Sequence, residues 1–270
     1  MKTRKKLLVR DVAKFIEEEI APLKYCLPGD RNGLEFGSLD GTARGIITCW
    51  SPTSMVIEKA VSYDANLIIS HEWLFYEYTG NKWLENEGWT FSKQVNLRRL
   101  HLLSQSNVSV LRYHSNWDIA PGGTADSFGE YLGFKNLVEK GKLIRVYEEK
   151  PIALAKLADL VVSKLGMARV EVSGDLNKKV EYIGTAIGGL GQILTYSDDF
   201  THSQAEVLIF GEMLEYTKIY TRESGYSYIA TSHEISEMPG MLKLTTLLRR
   251  KFPQIMVNYL KSDGGKVGKI

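Results

Sequence analysis

Asn66-Leu67-Ile68-Ile69-Ser70-His71-Glu72 runs through four apolar or small residues and stops at two side chains that bind metals. A continuous apolar run of this length is what a strand buried on both faces looks like, and such strands belong to parallel sheets covered by helices. A histidine and a glutamate side by side continue a core poorly. They are well placed as ligands at the carboxyl edge of a parallel sheet, where open α/β folds bind their ligands. The pattern returns in Tyr228-Ile229-Ala230-Thr231-Ser232-His233-Glu234. Two copies of an apolar run followed by Ser-His-Glu suggest two halves facing one site.

Strand and helix patterns alternate outward from this stretch. Leu8, Val12, Phe15, Ile16 and Ile20 recur at helical spacing over residues 7–21, and prolines end the pattern. Residues 30–37 are turn-rich and read as a loop. Residues 45–50 are strand-like, and Ser51-Pro52 opens a helix to about Asp64 with proline in its first turn. A helix over 93–104 precedes a strand over 108–113, and a Gly-Gly turn leads to a helix over 124–131. The second set has strands over 143–147, 169–172, 181–187, 207–210, 226–231 and 254–260, with helices over 151–165, 213–223 and 238–252. Residues 169–172 and 181–187 look like strands joined by a turn, and the tail from Gly264 on is expected to fray. Such alternation predicts an α/β protein with mostly parallel sheets. The expected layout is a first α/β lobe over 1–140, a helix-strand connecting segment over 141–179 and a second α/β lobe over 180–270. The two lobes are expected to pack as one structural unit and to face a shared metal site. Residues 73–92 carry Trp73, Phe75, Tyr76, Tyr78, Trp83 and Trp89. They read either as a lid or wall of a site, or as an aromatic cluster or oligomer contact.

Composition excludes several classes of function. A chain of 270 residues that is 44% apolar buries a sizeable core without difficulty. A net charge of +2 implies no general attraction to nucleic acid or membrane. The basic N-terminus lacks the apolar stretch of a signal peptide, and no run approaches the roughly 20 apolar residues of a membrane span. A cytoplasmic protein is expected. Cys26 and Cys49 lack metal-finger spacing and read as reduced thiols. No Gly-x-Ser-x-Gly elbow supports a serine nucleophile.

Three of the five histidines end apolar strands. His71 has Glu72 beside it, His114 has Asp118 four residues on, and His233 has Glu237 four residues on. His101 and His202 lack such company and are assigned to a helix surface and a loop. One His-x-x-x-Glu pair is commonly an exposed helical salt bridge. Three imidazole–carboxylate pairs at three strand ends are a ligand set, and they exceed what one zinc ion takes. They suit two divalent ions sharing a bridging carboxylate and clamping an attacking water. Gly188-Gly189-Leu190-Gly191 follows a strand and could present backbone N–H groups to an anion, but it lacks the lysine of a P-loop and the dinucleotide fingerprint, which favours a plain turn.

With these residues in view, the chain resembles the Ngg-interacting-factor-three-like family, the dinuclear-metal proteins of the GTP cyclohydrolase 1 type 2 group. Residues 30–37 look like that family's Asp-x-x-Gly-Leu-x-x-Gly segment. Ile68-Ile69-Ser70-His71-Glu72 looks like its strand ending in His-His, and His114-Ser115-Asn116-Trp117-Asp118 is similar to its His-Thr-Asn-Leu-Asp. Residues 230–237 resemble its Gly-His-x-x-x-Glu. The resemblance implies metal ligation by His71, Asp118, His233 and Glu237, with Glu237 as the bridge. It leaves His114 as a ligand, a residue that supports a ligand, or a proton shuttle. It also implies two α/β lobes, a homohexameric ring and hydrolase activity on a small-molecule substrate such as a purine nucleotide. The alternative it carries is a non-catalytic metal-binding or regulatory ring. Glu72 stands where the second histidine is usual, as a carboxylate ligand or proton carrier that favours Mn, Fe or Mg over Zn. Glu215 stands near where a family histidine often follows the Gly-Glu pair at 211–212.

Overall fold

The computed structural model describes residues 6–76, 90–192 and 203–265. It falls into two compact units: Met1–Trp117 with Leu244–Ile270, and Asp118–Lys243. These bounds run differently from the sequence-based lobes. The segment 141–179 supplies strands and a helix to the second unit, and residues 256–260 belong to the first. Tyr78, Trp83, Trp89, residues 193–202 with His202, and the last five residues lie outside the described residues.

The first unit is built on a five-stranded sheet. Its strands are β1 (Gly33–Phe36), β2 (Gly45–Cys49), β3 (Leu67–Ser70), β4 (Ser109–Arg112) and β11 (Met256–Leu260), in the order β1-β4-β3-β2-β11. β11, β2, β3 and β4 run parallel, and β1 joins β4 antiparallel. Every residue of β2, β3 and β4 is buried, as expected of a parallel sheet covered on both faces. Val56, Ile57 and Ala60 from the helix Ser54–Ser62, with Leu103 from the helix Thr90–Ser106, close one such core. Thr53 caps the first of these helices, its hydroxyl accepting from the Val56 N–H. β1 corrects the reading of residues 30–37 as loop. Its short glycine-flanked sequence carries no apolar run, and its partner β4 makes it a strand. Gly37 has φ +88°, and a Cβ there would lie 2.8 Å from the Ser109 Cα, so the approach needs glycine.

The second unit has a six-stranded sheet in the order β5-β6-β8-β9-β10-β7. The strands are β5 (Leu137–Lys140), β6 (Ile144–Ala153), β7 (Glu171–Ser173), β8 (Lys179–Ala186), β9 (Val207–Phe210) and β10 (Ser227–Ala230). Only β8, β9 and β10 are mutually parallel; β5, β6 and β7 join antiparallel. The expectation of mostly parallel strands therefore holds in the first sheet and gives way to a mixed sheet in the second. β7 and β8 do not pair across a turn: β7 lies beside β10 at the far edge. The amphipathic helix Leu154–Leu165 buries Leu154, Leu157, Val161 and Leu165 in the core of this unit. The helix His233–Lys251 starts five residues before the expected Met238 and runs through Pro239.

One ion pair ties the start of the second unit to its sheet. The Arg145 side chain on β6 is fully buried and donates to Asp126 on the helix Thr124–Leu132, and to the Gly141 and Ile144 carbonyls. Burial alone would raise the Asp126 carboxyl. The Gly122 N–H, Arg145 and Lys140 outweigh it and hold the group below the usual carboxylate range. Its contribution to stability is therefore present above an unfolded carboxyl pKa of about 4 and is lost as pH falls below that. Asp126→Asn is expected to cost about 3 kcal/mol by urea unfolding at neutral pH, and the gap between variant and parent should close in acid.

Candidate metal centre

Register explains why the first unit gathers ligands at one edge. Cys49, Ser70 and Arg112 are the last paired residues of β2, β3 and β4 and stand in one row. The residues that follow them must emerge together. The His71 N–H donates to the Trp50 carbonyl at 3.0 Å, and the Glu72 N–H donates to the same carbonyl at 2.8 Å. The chain bends at His71 and Glu72 instead of continuing the pleat. Strand alternation, which would send their side chains to opposite faces, no longer separates them. One ligand atom each of His71, Glu72 and His114 lies within 4.8 Å of the other two. The two imidazole rings are 4.9 Å apart, and His114 Nε2 is 3.9 Å from Glu72 Oε1. His71 is fully buried, whereas the His114 side chain is 29% exposed.

Asp30, which no sequence reading singled out by itself, organises the far side of His114. Its carboxylate accepts from His114 Nδ1 at 3.1 Å, from the Ser115 N–H at 3.0 Å and from the Ser115 hydroxyl. It also accepts from buried Arg112 at 2.8 Å. Burial pushes this carboxyl upward, but the bonds from His114, Ser115 and Arg112 outweigh it and hold it well below the usual carboxylate range. Asn32 adds a bond from the His114 N–H to its side-chain oxygen at 2.7 Å.

The second unit holds the other half of the expected set. His233 and Glu237 lie one turn apart at the start of the helix His233–Lys251, with Nε2 3.4 Å from Oε1. His233 Nδ1 bonds Glu212 Oε2 at 3.0 Å. The glycine turn acquires a purpose here. Gly188 has φ +57°, and a Cβ on it would fall 2.0 Å from Glu237 Oε1 and 2.9 Å from His233 Nε2. Gly211 packs as tightly, its Cβ position lying 2.4 Å from the Gly188 carbonyl and 2.5 Å from the Ser236 hydroxyl. Ser236 locks the arrangement by accepting from the Gly188 N–H and donating to the His233 carbonyl. Beside His233 an open groove of about 790 Å³ is lined by Arg169, Glu171, Lys218, Glu212 and Glu234 among others. Asp118 is buried on the short helix Ser115–Ile119. Glu215 is exposed at the start of the helix Glu215–Glu223, near Lys218 and Arg222. His101 is exposed on its helix.

The three strand-end imidazoles share one feature. His71 Nδ1 meets the Tyr113 carbonyl at 3.0 Å, His114 Nδ1 meets Asp30, and His233 Nδ1 meets Glu212. A carbonyl or a carboxylate can only accept, so each Nδ1 carries a proton, and each ring in its neutral form offers a lone pair at Nε2. This is how metal-binding histidines are held: an oxygen acceptor fixes tautomer and ring orientation and raises ligand basicity. The donor set of imidazole nitrogen and carboxylate oxygen fits a divalent transition ion.

The family model for Duf34/NIF3 (NGG1p interacting factor 3) matches residues 7–265. A Clostridium perfringens protein named GTP cyclohydrolase 1 type 2 homolog is 25% identical over 253 residues, covering 90% of this chain and 92% of that one. Among solved structures, a Bacillus cereus protein related to NIF3 superposes with a TM-score of 0.81 at 15% identity, covering 99% of this chain and all of that one. A Staphylococcus aureus hypothetical protein gives 0.79 at 19% identity, covering 98% and 100%. The two structural likenesses establish the fold.

Gly188→Ala should displace Glu237 and His233 without touching the hydrophobic core. Affinity for Mn or Zn, measured by isothermal titration, is expected to fall about 10- to 100-fold, as for loss of a supporting shell. Binding by the parent should also weaken in acid, because imidazoles must be neutral to ligate.

Proposed function

This chain belongs to the Duf34/NIF3 family, and from that premise we propose that it is a metal-dependent hydrolase acting on a nucleotide or a related phosphoester. The single observation that carries the reading is that His71, His114 and His233 are each fixed at Nδ1 by an oxygen acceptor, with His114 Nε2 facing Glu72 and His233 Nε2 facing Glu237. The proposed ligands are His71, Glu72, Asp118, His233 and Glu237 for two divalent ions, Zn, Mn or Fe. Bound ions would lower the pKa of a water toward neutrality and so supply a nucleophile.

The chain's own residues divide the remaining work. The Nε2 atoms of His71 and His233 would hold the ions, with the Glu237 carboxylate in the shared role that the resemblance implies. Glu72 replaces a softer imidazole with a carboxylate, which shifts the metal preference toward harder ions. His114 is the most exposed imidazole of the first unit's cluster, and Asp30 and Asn32 hold it from behind. That leaves its Nε2 as the atom that takes a proton from the nucleophile and returns it to the leaving group, with Glu72 as neighbour. GTP is the first substrate to assay, because a relative is named a GTP cyclohydrolase homolog. From the same resemblance we infer a homohexameric ring, and from the sequence composition a cytoplasmic location. Among the described residues no helix is long and apolar enough to cross a membrane.

Protein loaded in turn with Mn, Zn and Fe should release product from GTP or from generic phosphoesters. His114→Ala should keep its metal and lose about 10²–10⁴-fold in kcat. His233→Ala should lose both metal and activity. If all three metal forms are inert and His233→Ala retains the parent's metal content, the hydrolase reading fails, and the non-catalytic regulatory ring takes its place.

A further inference from the structure

The first unit contains a second, smaller cavity that the ligand cluster does not use. It encloses about 170 Å³ and is lined by Arg31, Asn32, Gly33, Glu35, Trp73 and Phe75, among others. Two features make it unlike a packing void. Its walls are aromatic on the side of Trp73 and Phe75, and they are held before anything binds. The Arg112 guanidinium lies 3.9 Å from the centre of the Trp73 ring, and Arg112 is itself fully buried and paired with Asp30. Glu35 Oε2 accepts from the Leu74 N–H at 2.7 Å, which ties the segment carrying both rings to β1. Asn32 is fixed by its bonds to Asp30 and the His114 N–H. β1, the outer strand of its sheet, adds Gly33, Leu34 and Glu35 to the lining. The cavity is too small for a whole nucleotide and too narrow in chemistry for a sugar, which wants several polar partners. It suits one flat ring system, stacked on aromatic faces and met at its rim by the Glu35 carboxylate and the Arg31 guanidinium.

We propose that this cavity is a slot for a planar nitrogen heterocycle of nucleobase size, stacked against Trp73 and Phe75. Trp73 directly follows Glu72 in the chain, so a ring in the slot lies next to a residue of the candidate centre. Assigning that ring to the substrate rests on the hydrolase reading above, whereas binding of the ring does not. Stacking on an aromatic side chain tolerates any base, because every base has a π-face. Preorganised walls keep the ordering cost of binding low.

The test uses full-length protein stripped of metal with a chelator, so that phosphate–metal contacts contribute nothing. Isothermal titration compares GMP with ribose 5-phosphate, which differ by the ring alone. GMP is expected to bind at least about tenfold more tightly, because one stacked base is worth that much or more. Trp73→Leu and Phe75→Leu should each weaken GMP about tenfold, whereas Trp73→Phe should retain most of the affinity. Thermal melting checks that each variant folds; if Trp73→Leu does not, Phe75→Leu and the ligand pair decide. Equal binding of GMP and ribose 5-phosphate, or unchanged GMP affinity in the folded leucine variants, overturns the slot. Metal content and turnover report separately on the hydrolase reading, so the two can fail independently.

Discussion

A fully buried guanidinium needs a carboxylate, and in the first unit that requirement fixes the candidate centre. Arg112 ends β4 with its side chain out of solvent, and Asp30 answers it from the turn before β1. Removing either partner would leave a buried charge, which is far more costly than the pair is favourable. Because Asp30 cannot leave Arg112, its second oxygen is held in place for His114 and Ser115. The same guanidinium holds the Trp73 ring, one residue beyond Glu72. One charge at a strand end thus positions an imidazole on one side and an aromatic wall on the other.

Some of this was legible in the residues and some was not, for physical reasons. β3 and β4 are apolar throughout because both faces of a parallel sheet are covered, so their ends, and His71 and His114, could be found from hydrophobicity alone. The helix carrying His233 and Glu237 was seen too late in the chain. Ser232-His233-Glu234 continues an apolar strand, and Pro239 argues against helix. The helix runs through the proline at the loss of the bond that an N–H at 239 would give the Ile235 carbonyl. β1 was invisible because its stability comes from β4 and not from its own sequence. Asp30 and Glu212 lie within motifs that the resemblance quotes, at 30–37 and 211–212, but nothing local gives either of them a role. Only a folded chain shows that each meets an imidazole.

The glycine turn at 188–191 had the opposite fate. Its composition suggested an anion cradle and its missing lysine argued against one. The packing gives a different reason for the glycines: Gly188 and Gly211 remove side-chain volume where the His233–Glu237 pair and Ser236 press against backbone. Absence of atoms is the contribution, and it leaves no periodic trace to read.

The first sheet is closed by a strand made long after its neighbour. β2 and β11 pair residue for residue from Gly45–Met256 to Cys49–Leu260, while the whole second unit lies between them in sequence. At synthesis rates of about 5–20 residues per second, β2 waits on the order of ten seconds or more for its neighbour. During that wait it presents an apolar, unpaired edge, the kind of surface that chaperones bind and that aggregates. Asp118–Lys243 is continuous and needs no later segment to complete its sheet, so it can fold while the first unit is still open. The contact that seals the first unit spans about two hundred residues, and loop closure of that length slows folding more than it weakens the product. Burdens of this kind fall on the newborn chain, and the finished protein no longer shows them.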